Sequence, residues 1–62
     1  MKRERLYECL FHCGEQPKQE ICFWSCHRKG SKANTEGALR TIRRKYGVRT
    51  RQSAVIDDIW RV

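Results

Sequence analysis

No apolar run in this 62-residue sequence approaches the ~20 residues that a helix needs to cross a bilayer, which argues against a helical membrane span. The opening MKRERLYE has the basic start of a secretory signal, but Glu8 and the first cysteine arrive before an apolar stretch can develop. If the chain begins at its own Met1, the expectation is a protein made and kept inside a cell, in the cytoplasm or nucleoid. No internal repeat exists beyond a doubled C-x3-C spacing, and there is no low-complexity segment. The C-x-x-C spacing of reactive dithiols is also missing, together with the α/β context in which they usually sit. His12 adjoins Cys13 and His27 adjoins Cys26, yet sequence neighbours on a helix point in different directions, so neither pair makes a nucleophile and its base. No catalytic site is visible, and the chain reads as a non-enzyme.

Acids are scarce where bases gather. Residues 1–30 hold six Lys or Arg against four Glu, while residues 31–62 hold eight against Glu36, Asp57 and Asp58, which places +5 of the net +7 in the second half. Between Arg40 and Arg51 there are six basic residues and no acid. Such a field favours polyanions: DNA, RNA or an anionic membrane surface. The plainer alternative is a solvated basic face that keeps a small protein soluble.

Length sets a second constraint. A chain this short buries only roughly 60% of the surface its unfolded form exposes, so an added cross-link is expected. The four cysteines of Cys9 to Cys26, CLFHCGEQPKQEICFWSC, are the candidates. Leu6, Cys9, Leu10 and Cys13 recur at i, i+3, i+4 and i+7, the stripe of an amphipathic helix. Gly14 suits a helix end and Pro17 the first turn of another, so residues 3–13 and 17–29 are expected to form two antiparallel helices. Ile21 to Trp24 is a continuous apolar run that fits a strand equally well, and strand-like segments at 7–13 and 20–26 would make a small zinc ribbon instead.

A spacing of four puts two cysteines on one face in a helix or a strand. Cys9, Cys13, Cys22 and Cys26 are therefore read as ligands of a structural zinc ion, with His12 or His27 able to replace one of them. On two antiparallel helices the alternative is a nested disulfide pairing, Cys9–Cys26 with Cys13–Cys22, and free core thiols are a third reading. The twin C-x3-C spacing resembles two families of helical hairpins, the α-hairpinin peptides of plants and the small chaperones of the mitochondrial intermembrane space. That resemblance covers residues 9–26 and implies a disulfide-stapled hairpin. For the α-hairpinins it implies a secreted antimicrobial or a protease inhibitor. Neither family leads one to expect a basic second half.

In that half, Gly30 to Asn34 reads as a linker closed by an N-cap at Asn34 or Thr35. A helix over about 36–46 would bury Leu39, Ile42 and Tyr46, present Arg40, Arg43 and Arg44, and end at Gly47. A further helix over about 53–61 would bury Val55, Ile56, Ile59 and Trp60 and leave Asp57 and Asp58 outside, within reach of Arg61. Together they resemble a helix-turn-helix in outline, with Gly47-Val48 as the turn. On that frame Arg40, Arg43, Arg44 and Lys45 mainly clamp phosphates, while Arg49, Arg51, Gln52 and Ser53 gather at the turn, where arginine can meet phosphate or a guanine edge and Gln52 can read adenine.

The resulting expectation is a single, small, mostly α domain. A Cys-stapled helical hairpin (residues 1–30) is followed by a basic, helix-turn-helix-like segment (residues 35–62). Its expected role is that of a zinc-stapled regulatory or accessory protein that binds DNA before RNA. The rivals are the secreted disulfide-stapled hairpin and an adaptor or inhibitor that docks Trp24 and Trp60 on a protein partner.

Overall fold

The computed structural model describes residues 3–62; Met1 and Lys2, part of the basic opening read above, lie outside the described residues. Strand β1 (Arg5–Cys13) is followed by β2 (Gln19–Ser25), helix α1 (Lys32–Tyr46), a short α2 (Val48–Ser53) and β3 (Ala54–Arg61). The strands form one antiparallel sheet in the order β2-β1-β3, and α1 packs on one of its faces, mainly over β2.

The mostly α expectation is thus overturned, and the helical hairpin of 3–13 and 17–29 is a β-hairpin. The reason lies in the aromatics. The helical stripe through Leu6, Cys9, Leu10 and Cys13 leaves Tyr7 and Phe11 on its flanks. Read with period two, Tyr7, Cys9 and Phe11 share one face, and all three are buried. Ile21, Phe23 and Ser25 do the same on β2. Tyr7 and Phe23 are register partners with stacked rings 5.7 Å apart. Aromatic side chains carry the largest apolar area in so small a core, so the backbone that buries them prevails. Gly14, at φ 57°, opens the hairpin loop, where the Gln16 N–H donates to the Cys13 carbonyl at 3.0 Å.

The expected last helix over 53–61 is also a strand. Phe11 pairs with Ile56 and Cys9 with Ile59, so three residues on β1 face four on β3, and a bulge absorbs the extra one at Asp57. The bulge turns Ile56 and Ile59 to the same inner face, where they join the core, while Val55 stays exposed. Asp57 and Asp58 do not reach for Arg61. Asp57 bonds His12 across the sheet at 2.8 Å, and the Asp58 carboxylate accepts the Ile59 N–H.

The helix expected over 36–46 is present but begins earlier. Ser31 is the N-cap, its hydroxyl accepting the Asn34 N–H at 3.1 Å, and α1 ends at Gly47, whose φ of 105° suits glycine. Asn34 is not a cap. It is fully buried, and its amide and the Tyr7 hydroxyl both donate to the His27 carbonyl, tying the segment after β2 to the start of α1. Ala38 and Ile42 face the sheet with Leu39 partly buried, while Tyr46 is exposed and leans over Phe11 at 5.9 Å. Among the described residues no helix is long and apolar enough to cross a membrane.

Candidate nucleic-acid interface

The hairpin register decides what the four cysteines can do. In that register the numbers of paired residues always sum to the same even value, as in Cys9↔Ile21 and Glu8↔Cys22. Odd positions of β1 therefore share a face with odd positions of β2. Cys9 and Cys13 fall on the inner face, and Cys22 falls on the outer face, with Cys26 following β2 just past its last residue. The first C-x3-C pair keeps to one face as expected, but Cys22 of the second pair lies on the opposite side of the sheet.

That geometry corrects the zinc reading. The thiols of Cys9, Cys13, Cys22 and Cys26 do not converge, and among the described residues no group of three or more His, Cys, Asp or Glu side chains is placed to hold a metal ion. The residues do not fit a structural zinc site. The nested pairs Cys9–Cys26 and Cys13–Cys22 would need an odd sum, and all four cysteines are free. With the helices gone as well, the resemblance to disulfide-stapled helical hairpins has no structural support. The thiols instead make separate local contacts. Cys13 donates to the Thr50 carbonyl at 3.5 Å, Cys22 lies 4.0 Å from the Glu8 carboxylate, and Cys26 lies 3.9 Å from His27 Nε2. His12 is engaged by Asp57.

Cys9 is a core residue with no solvent exposure, and burial, together with the charges of Asp57 and Asp58, pushes its thiol up to about 11. Cys9→Ser is expected to cost about 1–3 kcal/mol because it buries a hydroxyl in an apolar site, while Cys22→Ser on the exposed face should stay within about 0.5 kcal/mol. A shared metal would make the two substitutions comparably damaging, and denaturant titration of both variants separates the cases. The raised value also has a sign. The unfolded thiol ionises near its ordinary 9.0 while the folded one stays protonated, so Cys9 makes stability fall as pH rises from 9 toward 11. Cys9→Ala should remove that component of the fall.

The basic residues are placed differently from the cysteines. Arg40, Arg43, Arg44 and Lys45 lie on the second half of α1, Arg49, Arg51 and Gln52 on α2, and all seven are exposed. Arg40, Arg43 and Arg44 line a surface hollow of about 320 Å³ with Gly47 and Val48. Beside it a hollow of about 270 Å³ is lined by Arg40, Arg43 and Arg51 with Glu36 and Leu39. The corner between α1 and α2 thus gathers Arg40, Arg43, Arg44 and Arg51. Lys45 lies over the Tyr46 ring, 5.5 Å from its centroid, and Arg49 and Gln52 line neither hollow. Arg43, Arg44 and Lys45 occupy the last turn of α1, where cations also complement the helix dipole. Arg51 has the same place in the last turn of the short α2, and Arg40 has it in neither helix.

Two features sharpen the corner. Among the described residues the one ion pair is His12–Asp57, so no carboxylate lies within salt-bridge distance of these arginines. Several acids stand elsewhere: Glu8, Glu20 and Asp58 lie on the sheet face turned away from α1, where Glu8 accepts the Trp60 indole N–H at 3.0 Å. The hollows also use Leu39, Glu36 and Val48, which sequence reasoning did not assign to the interface. For Glu36 the signal was its place one helical turn before Arg40.

The helix-turn-helix outline is corrected at the same point. α2 spans six residues, about 9 Å at 1.5 Å per residue, and the chain passes directly into β3. That is too short to lie along a major groove, so Arg49, Arg51 and Gln52 lose the frame in which they would read bases. No family model matches the chain, no curated protein matches it, and no solved structure matches it.

Proposed function

We propose that this chain binds nucleic acid through the α1–α2 corner, gripping the phosphate backbone rather than reading base edges. The carrying observation is the convergence of Arg40, Arg43, Arg44 and Arg51 on two adjoining hollows with no carboxylate in salt-bridge range among the described residues. Arginine presents a planar fork that matches phosphate oxygens, and neighbouring forks along a shallow surface suit a repeating anion better than a single small one. The acids on the opposite sheet face give the molecule a direction, since a polyanion is drawn to the helical corner and repelled from the sheet. Duplex DNA is the first substrate to try, with duplex RNA beside it.

The test is a salt titration of binding to a labelled duplex. Four phosphate contacts predict that log K falls with log salt at a slope of about −3.6, from a dissociation constant on the order of 10⁻⁶–10⁻⁴ M near physiological salt. Absence of binding even at low salt would refute the reading. So would an affinity indifferent to salt.

A further inference from the structure

Both β2 and β3 end the sheet, and an edge strand presents a row of unpaired N–H and C=O groups. β3 is guarded. The extra residue at Asp57 interrupts its register, Asp57 and Asp58 put adjacent charges there, and the Asp58 carboxylate accepts the Ile59 N–H at 2.9 Å, occupying a backbone donor. β2 carries none of these devices. Its seven residues, Gln19–Ser25, keep an unbroken register with β1, include no Pro, Lys or Arg, and carry a single charge at Glu20.

The helix does not cover this edge. A cleft of about 330 Å³ lies between Cys22, Phe23 and Trp24 of β2 and Gly37, Arg40 and Thr41 of α1. A Cβ at Gly37 would meet only the Phe23 ring, at 3.6 and 3.7 Å, an ordinary contact. Among the described residues nothing therefore requires glycine in mid-helix, where it costs about 0.5–1 kcal/mol relative to alanine. The missing side chain keeps the cleft open beside the strand.

We infer that this edge is an interface for a second copy of the chain, the two β2 strands pairing antiparallel about a two-fold axis at Cys22. Cys22 is the midpoint of β2, so a two-fold there uses the whole strand. Glu20 then faces the partner's Trp24, Ile21 faces the partner's Phe23, and Gln19 faces the partner's Ser25. No like charges meet along the strands, and the buried row of Ile21 and Phe23 continues across the axis. The interface is isologous, the commonest arrangement among soluble oligomers. One term opposes it. Arg40 and Arg44 line the cleft with Glu4 as the one acid beside them, and pairing brings this net positive charge of the two copies toward the axis. Salt screens that repulsion, so the dimer strengthens as salt rises, opposite to a polyanion complex. The inference does not rest on nucleic-acid binding and is tested without it.

The experiment uses the full chain, with mass in solution read by sedimentation. Cys22 is exposed, so its substitution leaves the core untouched. Cys22→Lys alone and Cys22→Glu alone each set like charges opposite one another and should lower the association constant about tenfold or more, while an equimolar mixture of the two variants should recover it. In the wild type the facing Cys22 Cα atoms would lie about 4.5–5.5 Å apart, within disulfide range. Diamide, taking up the two thiol hydrogens, should cross-link the chain into a dimer, and Cys22→Ser should abolish the cross-link while leaving the mass in solution unchanged. A wild type that stays monomeric at every concentration and salt overturns the inference. So does a dimer that both charged variants leave intact.

Discussion

Phe11→Ala is expected to lower stability by about 3–5 kcal/mol, the range for emptying a fully buried aromatic site. Phe11 is wholly inaccessible and sits on the central strand, between Gln19 on β2 and Ile56 on β3, with the Tyr46 ring leaning over it at 5.9 Å. Neighbours therefore enclose it on three sides, and the sheet cannot collapse into the space without giving up its register. A chain of this size has a total stability of roughly 3–9 kcal/mol, so the substitution removes at least about a third of it. Circular dichroism with a urea titration reads the effect directly. Trp24→Ala is the control, because Trp24 is 64% exposed on the outer sheet face and its loss should cost less than about 1 kcal/mol. If the two substitutions cost the same, the division of the sheet into inner and outer faces is wrong.

That division was legible in the sequence only in part. The segment Arg5–Cys13 satisfies two periods at once, a helical stripe through Leu6, Cys9, Leu10 and Cys13 and an alternating one through Tyr7, Cys9 and Phe11. Spacing does not rank them, but the apolar area of the buried aromatics does. Cysteine spacing had the same ambiguity: a separation of four keeps a pair on one face in either conformation, but only the strand register fixes the relation between pairs. The turn length between Cys13 and Gln19 sets that register, and it sends Cys22 to the face opposite Cys9.

β3 misled for a different reason. Val55, Ile56, Ile59 and Trp60 have the spacing of a helix face, and the structure reaches the same grouping of Ile56 and Ile59 by inserting one residue at a bulge. A bulge is invisible to a period count, because it adds a residue without adding a turn signal. By contrast the end of α1 at Gly47 was readable, since a positive φ after a helix has a residue-specific cause. The exposed basic residues were readable too, because charge excludes them from a core this small; their convergence on one corner depended on the angle between α1 and α2.

Reversing two of those charges, Arg43→Glu with Arg51→Glu, is expected to weaken binding to duplex DNA by about 30-fold or more at low salt and to lower the magnitude of the salt slope by about 2. The two residues come from different helices and meet over one hollow, so the pair tests the corner and not merely the charge of a single helix. Both are exposed and neither enters the buried cluster, so the fold should survive, with stability within about 0.5 kcal/mol per site. The matched control is Arg3→Glu with Arg5→Glu, which changes net charge equally just before and at the start of β1, at residues that line neither hollow of the corner. If binding follows net charge alone, both double variants weaken it alike and the reading of a localised phosphate grip fails. If the α1–α2 corner makes the contacts, the control keeps most of the affinity and nearly all of the slope.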